Sequence, residues 1–379
     1  MPRRCSSFAF VLCLAFAAAC AGGPPDSGAA GGDVVAAASA APLADTAPSV
    51  TPVVNANEAT SAPAVPAAAD TNSPSSAGSS LPPNELGRIP VLEYHLLGDS
   101  NSTYTRTRSG LRRDLELLYE RGYRPVSVSE LVDRKLDLPA GLSPVVMVFD
   151  DASPSQFGYV ETDDGLEVDP ESAVGILLAF NRAHADWRNR AVFCLLSGAE
   201  AGRSFFGNKG IEGQKTEWRF SKVQRLHAEG FELCNHTLWH ANLRRYPDST
   251  VQEQIARGQL AIDSAVPGYR VRTFALPLGQ WPLNRALAYS GEWRAPKGDI
   301  VVRYDYSAVL EVAGGPSRSP YDPAFNPRSI PRVQVIGDSA VARTLNQLER
   351  AGQRYVSDGD PSRVAQPPAR VAKQPIVAP

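Results

Sequence analysis

The sequence predicts an α/β fold in which helices cover a parallel sheet, arranged as a barrel or as a doubly wound sheet. Two observations lead to this prediction. Continuous apolar runs such as Ser143–Phe149 and Ala191–Leu196 are typical of strands that are buried on both faces. Amphipathic helical segments of ten or more residues separate these runs, and such alternation is typical of crossover connections between parallel strands.

The predicted elements follow one another in order from Gly87. The run Gly87–His95 is the first strand, and the next segment is a helix that places Leu111, Leu115 and Leu118 on one face before Gly122. Further strands are predicted at Ser143–Phe149, Ala191–Leu196, Phe231–Cys234 and Val271–Leu276, and helices after Pro170, around Trp218 and Leu226, and over Val251–Ile262. In either architecture, functional side chains collect where the parallel strands end.

The 379 residues divide into segments whose compositions differ, so the net charge of −2 and the 43% hydrophobic content describe none of them. Residues 21–83 contain no Lys, Arg or aromatic residue, and we predict a disordered tether there. Residues 84–353 are long enough for one domain with a large core, and the proline-rich residues 354–379 are predicted to be a disordered tail. The balanced charge does not favour a nucleic-acid partner.

The N-terminal residues 1–20 have the features of an export signal. Arg3 and Arg4 precede an apolar run, Phe8–Ala19, that is too short to span a bilayer. The end of this run resembles a bacterial lipoprotein signal, in which Cys20 becomes the lipidated first residue. An ordinary signal peptide is the alternative. We therefore expect an extracytoplasmic protein at the bacterial cell envelope that contacts the membrane only through a lipid anchor.

Two of the five cysteines, Cys5 and Cys13, belong to this signal, and Cys20 is the predicted lipidation site. Cys194 and Cys234 remain, and both lie in predicted strands. We interpret them as two buried thiols, with a single disulfide as the alternative in an oxidising compartment. The sequence has no cysteine cluster of the kind that binds zinc.

Two adjacent carboxylates, Asp150 and Asp151, follow the predicted strand Ser143–Phe149. Neighbouring side chains on an extended chain point in different directions, so one carboxylate can bind a metal while the other faces a substrate as a base. The alternative is a solvated turn or a helix cap with no catalytic role.

His236 and His240 follow directly after the predicted strand Phe231–Cys234. A spacing of four residues on one helical turn places both imidazoles on the same face, where they can bind one cation. The alternative is a pair of surface histidines. The whole chain has only five histidines, and these two sit at a strand end.

A third strand end has the sequence Phe274-Ala275-Leu276-Pro277-Leu278-Gly279. A proline, an apolar residue and a glycine after a buried strand can present backbone N–H groups to a site. They can equally form a plain strand-to-helix turn.

Taken together and in this order, the motifs resemble the polysaccharide deacetylase family, the NodB-like carbohydrate esterases of family 4. The run Ile89–His95 (IPVLEYH) is similar to the frequent family start IPVLMYH. Val148–Asp151 is similar to the family's TFDD motif, and Asn235–His240 matches NHTxxH. The resemblance extends from about Ile89 to Gly279.

The resemblance implies a distorted β/α barrel in one domain and a hydrolase that removes acetyl groups, N-acetyl rather than O-acetyl, from an envelope or extracellular polysaccharide. It implies one divalent metal held by Asp151, His236 and His240. Zinc is the first choice for such ligands, which would also accept cobalt, nickel or iron. Asp150 is then the base for water activated by the metal, and the N–H of Leu278 stabilises the oxyanion.

The sequence departs from the family pattern in two respects. Ala275 stands where many members have an arginine that orients the catalytic aspartate, and no histidine follows His240 to act as the acid for the leaving amine. His95 is the favoured candidate for the acid because its strand end should lie on the same face of the sheet, and Asp305 is the second candidate. A structural role for His95, as a buried histidine held by local hydrogen bonds, is the alternative.

Trp239 and Trp281 are predicted to stack on the sugar rings of the acetylated polysaccharide. The oligomeric state is not predicted. Because of the two departures, the alternative function is a catalytically impaired carbohydrate-binding protein that retains the metal site.

Overall fold

The computed structural model describes residues 81–198 and 204–366. The predicted signal peptide 1–20 with Cys20, the tether up to residue 80 and residues 367–379 lie outside these ranges. Among the described residues, no helix combines the length and the apolar character that crossing a membrane requires.

The described fold is built from strands and helices that alternate over most of its length. The strands are β1 (Val91–Tyr94), β2 (Leu96–Gly98), β3 (Thr105–Thr107), β4 (Tyr123–Pro125), β5 (Ser143–Asp150), β6 (Tyr159–Thr162), β7 (Gly165–Val168), β8 (Val192–Leu195), β9 (Glu232–Asn235), β10 (Thr273–Ala275), β11 (Ser290–Arg294), β12 (Val301–Asp305), β13 (Ala308–Gly314) and β14 (Ile330–Gln334). The helices are α1 (Arg108–Glu120), α2 (Val128–Val132), α3 (Ala173–Ala183), α4 (Trp218–Ala228), α5 (Asp248–Ala265) and α6 (Ala340–Arg350). Short 3₁₀ turns lie at Ile211–Gly213, Leu243–Arg245, Pro277–Gly279 and Arg285–Ala288.

Seven strands form a closed parallel barrel in the order β1-β14-β13-β10-β9-β8-β5, and β5 pairs back with β1. The first three residues of β5 pair with β4, and the following residues pair with β1. The predicted α/β class and the distorted β/α barrel are thereby confirmed. Closure brings the carboxyl ends of all seven strands around one opening, which is where a barrel of this type holds its functional groups.

Most residues of the barrel strands are apolar because both faces of the strands are covered. Leu92, Met147 and Phe193 belong to the outer core, which also contains the buried leucines of α1. Alternate residues of the same strands, such as Val91 and Val146, belong to a second apolar cluster inside the barrel. A strand that packs on helices outside and on other strands inside has no polar face, which explains the continuous apolar runs in the sequence.

Cys194 and Cys234 are joined in a disulfide, so the favoured interpretation of two free thiols is wrong. The parallel register of β8 and β9 places the two residues directly opposite each other. Both are fully buried inside the barrel. The sequence could not decide between thiols and a disulfide because the register depends on the pairing of two strands 40 residues apart.

The folded domain continues beyond residue 353, so the boundary predicted for the disordered tail is too early. Tyr355 and Val356 are each 1% exposed, and Val356 forms an antiparallel bridge with Asn84. The guanidinium of Arg354 stacks on the ring of Tyr123 at 4.4 Å. These contacts attach the segment to Asn84 at the start of the domain and to the start of β4, a pairing that composition alone does not indicate.

Candidate active site

A cleft of ≈ 560 Å³ opens at the carboxyl ends of the barrel strands. Six residues that the sequence singled out line it together: His95, Asp150, Asp151, His236, His240 and Leu278. They come from the ends of β1, β5, β9 and β10, which are distant in the sequence. The strand-end argument therefore located the cleft correctly.

The two adjacent carboxylates separate because the chain turns sharply after β5. Asp151 has φ 81° and Ala152 has φ 50°, both in the left-handed region. The N–H of Phe206 donates a hydrogen bond of 2.9 Å to the carbonyl of Ala152 and supports this turn. As a result, Asp150 faces the barrel interior while Asp151 faces the histidines.

His236 and His240 lie on an irregular loop after β9, so the predicted helical turn is wrong. Thr237 and His240 have φ values of 72° and 61°, which no helix contains. The side chain of Asn235 accepts a hydrogen bond from the N–H of Thr237 at 2.9 Å, and the Thr237 hydroxyl accepts one from the N–H of His240 at 3.1 Å. These bonds fold the loop so that the two imidazole centroids lie 4.9 Å apart.

Three side chains converge in a way that fits a divalent cation. Oδ1 of Asp151 lies 3.5 Å from Nε2 of His236 and 3.5 Å from Nε2 of His240. The three ligand atoms lie within 4.8 Å of one another. One carboxylate and two imidazoles are a common zinc ligand set that leaves positions open for other ligands.

The orientation of His236 supports this interpretation. Its Nδ1 lies 2.9 Å from the carbonyl of Ala275, so we assign the ring proton to Nδ1. Nε2 is buried, has no hydrogen-bond partner among the described residues and carries the lone pair toward Asp151. Burial would raise the pKa of Asp151, but without a metal the protonated forms of His236 and His240 outweigh it and lower this pKa.

Arg332 is a site residue that the sequence analysis missed. It reaches into the barrel from β14 and is 1% exposed. Its Nη1 donates to Oδ1 of Asp150 at 2.9 Å, and its Nη2 lies 2.8 Å from Oδ2. Burial would raise the pKa of Asp150, but Arg332 and then His236 lower it, so the net direction is downward. This arginine makes the contact that Ala275 cannot make.

Glu93 forms a second cluster with His95 and Asp150, whose ligand atoms also lie within 4.8 Å of one another. Nη2 of Arg332 lies 2.7 Å from Oε1 of Glu93 and 2.8 Å from Oδ2 of Asp150. Because a guanidinium already neutralises these carboxylates, the cluster is an ion-pair network rather than a second metal site. Burial raises the pKa of Glu93 to about 8, although Arg332 opposes the shift.

His95 lies in the cleft, as its predicted role requires. Its Nε2 is 3.9 Å from Oε1 of Glu93, and the ring meets the ring of Tyr104 edge-on with centroids 5.3 Å apart. Burial lowers the pKa of His95, partly opposed by Asp150 and Asp151. Asp305, the second candidate for the acid, is exposed on β12 and does not line this cleft.

Leu278 forms part of the wall of the cleft, in the 3₁₀ turn after β10. Its backbone is left-handed, with φ 57°, and its side chain is half exposed. Gly279 follows with φ 63°, and a Cβ at this glycine would lie 2.4 Å from a methyl group of Val312. Only glycine therefore allows the turn to approach β13 this closely.

The two tryptophans that were predicted to stack on sugars are not among the residues that line the cleft. Trp239 is exposed on the loop beside His240. The indole N–H of Trp281 donates to the Glu311 carboxylate at 3.0 Å, and the guanidinium of Arg285 covers its ring at 3.7 Å. Their role in binding stays a prediction, and the exposed aromatic ring that does line the cleft is that of Tyr104.

Comparisons with known proteins agree with the motifs. The family profile described as polysaccharide deacetylase matches residues 175–290. A chitooligosaccharide deacetylase from Bradyrhizobium sp. (strain ANU 289) is 36% identical over 59 residues, which are 16% of this chain and 27% of that protein. The match thus spans only about a quarter of the length of this curated relative.

Solved structures of similar fold cover a larger part of the chain at lower identity. The Streptococcus pyogenes deacetylase PplD in complex with acetate has a TM-score of 0.48 and 15% identity, over 69% of this chain and 97% of that chain. The putative polysaccharide deacetylase BA0330 from Bacillus anthracis has a TM-score of 0.49 and 15% identity, over 69% of each chain.

The matched segment 175–290 contains the loop of His236 and His240 and the turn at Leu278, which form one wall of the cleft. Asp150 and Asp151 lie outside that segment and complete the arrangement from β5. Residues 175–290 of this chain thus match the polysaccharide deacetylase family model, in agreement with the family that the motifs resemble.

Proposed function

We propose that this protein is a metal-dependent hydrolase that removes acetyl groups, N-acetyl in preference to O-acetyl, from an envelope or extracellular polysaccharide. The observation that carries the proposal is the convergence of Asp151, His236 and His240 beside a buried Asp150 in an open cleft. A cation held by these three residues would polarise the acetyl carbonyl and lower the pKa of water.

Asp150 is the base in this proposal. A base needs an ionised carboxylate in the cleft, and Arg332 keeps the pKa of Asp150 low although the side chain is buried. The same guanidinium holds both carboxylate oxygens and so sets the orientation of the group. The result is a carboxylate prepared to accept a proton without reorganisation when water attacks the acetyl carbon.

His95 and the backbone N–H of Leu278 complete the proposed machinery. Attack on the acetyl carbonyl places negative charge on its oxygen, and an N–H on the wall of the cleft can stabilise that charge. The leaving amine must take up a proton. His95 is the histidine that lines the cleft without belonging to the proposed metal ligands, so we assign this donation to it.

Zinc is the first choice for the metal. Two imidazoles and one carboxylate suit zinc, and cobalt, nickel or iron would accept the same ligands. The partner that the proposal implies is an acetylated polysaccharide.

The place of action in the proposal is the cell envelope. The sequence of residues 1–20 supports export, with Cys20 as the site of a lipid anchor. Radiolabelled palmitate should be incorporated into the chain in a bacterial host, and Cys20→Ser should abolish incorporation. Equal labelling of both proteins would contradict the lipoprotein assignment.

Acetate release from acetylated chito-oligosaccharides tests the proposed activity directly. The full chain with added zinc should release acetate, and chelation should stop it. Asp150→Asn should reduce kcat by roughly 10²–10⁴-fold while the bound metal remains, as expected on loss of a general base. Longer oligosaccharides should react faster if the substrate is a polymer. Release that survives both chelation and Asp150→Asn would contradict the mechanism.

The impaired carbohydrate-binding protein is the alternative function. The observations behind it were the missing arginine at position 275 and the absence of a late histidine. Arg332 and His95 now occupy positions from which they could serve these roles, so the geometry supports hydrolysis instead. Glycan binding with full metal content but no acetate release, over a panel of acetylated polymers, would restore the alternative.

A further inference from the structure

Glu93 is a buried carboxylate to which the proposed mechanism assigns no role. Its side chain is 0% exposed, inside the barrel next to the cleft, and its Oε1 lies 2.7 Å from Nη2 of Arg332. A charge is costly to bury at such a place unless it is paired.

Arg332 is held on several sides at once. Nη1 and Nη2 contact the two carboxylate oxygens of Asp150, and Nε donates to the carbonyl of Glu311. Nη2 also contacts Glu93. The donors of a guanidinium lie in one rigid plane, so contacts along different edges determine the orientation of the whole group.

Two buried carboxylates meet at this guanidinium. An arginine that enters the barrel from β14 brings a full positive charge into a buried space, where it needs carboxylates and acceptors around it. Asp150 supplies one carboxylate, and Glu93 supplies the second on the side of β1.

We propose that Glu93 is a positioning residue for the reaction, which holds Arg332 in the orientation in which the guanidinium grips Asp150. The inference rests on the proposed function. Asp150 accepts a proton efficiently only from a fixed position, and a displacement of about 1 Å can cost roughly a hundredfold in rate.

Two substitutions of Glu93 separate this role from a general need for a buried polar group. Glu93→Met removes the acceptor at nearly constant volume, and we expect kcat for acetate release to fall by about a hundredfold. Glu93→Gln keeps an acceptor oxygen for Arg332, so its kcat should fall less than about tenfold. In both variants, KM should change less than about threefold and the bound metal should remain, because neither substrate nor metal contacts are altered.

Glu232 provides a matched control, since it is a second buried glutamate in the barrel, on β9. Its carboxylate accepts hydrogen bonds from the N–H of Ser129 at 2.8 Å and from the hydroxyl of Thr273, away from the cleft. Glu232→Gln should change stability but leave kcat within about twofold of the wild type.

A double variant tests whether Glu93 acts through Arg332. In an Arg332→Met background, Glu93→Met should lower kcat by no more than about twofold further, because residues that act on one group are not additive. Losses that multiply would overturn the proposal, and so would a kcat for Glu93→Met within threefold of the wild type. If Glu93→Met does not fold, Glu93→Ala is measured in its place, and the same changes in kcat and KM are expected.

Crystal structures distinguish failure of this inference from failure of the proposed function. If the wild type releases no acetate from any substrate, the proposed function fails, and the position of Arg332 decides the inference. A guanidinium displaced from Asp150 in Glu93→Met supports the positioning role. An unchanged ion pair with Asp150 overturns it.

Discussion

The cleft has two halves that differ in how their residues are distributed along the chain. The metal half consists of Asp151, His236 and His240. The proton half consists of Glu93, His95, Asp150 and Arg332. The metal half comes from two short strand-end motifs, while the proton half needs β1, β5 and β14 to meet in a closed barrel. The comparison teaches that ligand sets can be encoded locally, whereas an ion-pair network that tunes a base depends on the tertiary structure.

The largest expected effect is in the metal half. His236→Ala and His240→Ala each remove one of three ligands, so metal affinity should fall by at least about 10³-fold and acetate release should fall to background. Metal content after gel filtration and the absorption spectrum of the cobalt-loaded chain measure this. His184→Ala, at the end of α3, is the control and should keep both. A variant that binds no metal but keeps wild-type activity would show that the metal half has no role in the mechanism.

Arg332→Met tests the proton half and should affect stability as well as rate. Loss of the guanidinium leaves the carboxylates of Asp150 and Glu93 buried without their partner, so the free energy of unfolding should fall by about 3–5 kcal/mol. Urea unfolding measures it.

Arg272→Met is the matched control for this prediction. Arg272 pairs with Asp133 through two bonds of 2.6 and 2.9 Å, but this pair is partly exposed. Its removal should therefore cost less than about 1 kcal/mol. Equal losses of unfolding free energy in the two variants would mean that the buried ion pairs stabilise the fold no more than an exposed pair does. Loss of bound metal in Arg332→Met would show that the metal half depends on the proton half.

The Cys194–Cys234 disulfide lies in the apolar cluster inside the barrel, next to the strand ends that carry Asp150 and His236. Replacing both cysteines with serine or alanine should lower the free energy of unfolding by about 2–4 kcal/mol, since the bond closes a loop of 40 residues in the unfolded chain. Metal content and kcat at 25 °C should stay within about twofold of the wild type. A selective loss of metal binding would instead assign the disulfide to the metal half.

The smallest expected effect is the pH dependence that Glu93 contributes to stability. Its folded pKa is about 8 and its ordinary value is 4.5, so between these values the folded state holds a proton that the unfolded state has lost. The free energy of unfolding should therefore fall as the pH rises from 4.5 to 8.

Urea unfolding of the metal-free chain at several pH values measures this contribution as the difference between the wild type and Glu93→Met. The difference should change with pH only inside that window. A difference that stays constant between pH 4.5 and 8 would contradict the prediction, because Glu93 would then be ionised in the folded state already near pH 4.5.

Much of the fold could be predicted from the sequence because burial on both faces makes barrel strands continuously apolar. The strand ends also predicted that Asp150, Asp151, His236 and His240 lie close together, and all four line one cleft. The path between the two histidines was predicted wrongly as a helical turn, because side-chain hydrogen bonds from Asn235 and Thr237 fold this loop, and periodicity does not register them. Because a helical turn and this loop both bring residues four apart in sequence close in space, His236 and His240 lie together in either conformation.

Arg332 was missed because a single arginine in a short strand resembles an edge residue until the partner strands are known. Ile330 lies two residues before Arg332, and Gln334 lies two residues after it. Alternate residues of a strand share one face, so this spacing is a weak signal that Arg332 faces inward with them. The order of strands, which places β14 between β1 and β13, turns that face toward Asp150. The packing of residues 354–357 has the same cause, since it depends on pairing with the start of the domain.

The sequence by itself determined the fold class and the metal-ligand candidates, because apolar patterning and the chemistry of strand-end side chains are properties of short segments. The tertiary structure decided which charges surround Asp150, that Cys194 and Cys234 are bonded, and where the domain ends. Each of these depends on contacts between segments far apart in the chain. Closure of the barrel determines those contacts, and no pattern in a short segment of the sequence predicts the closure.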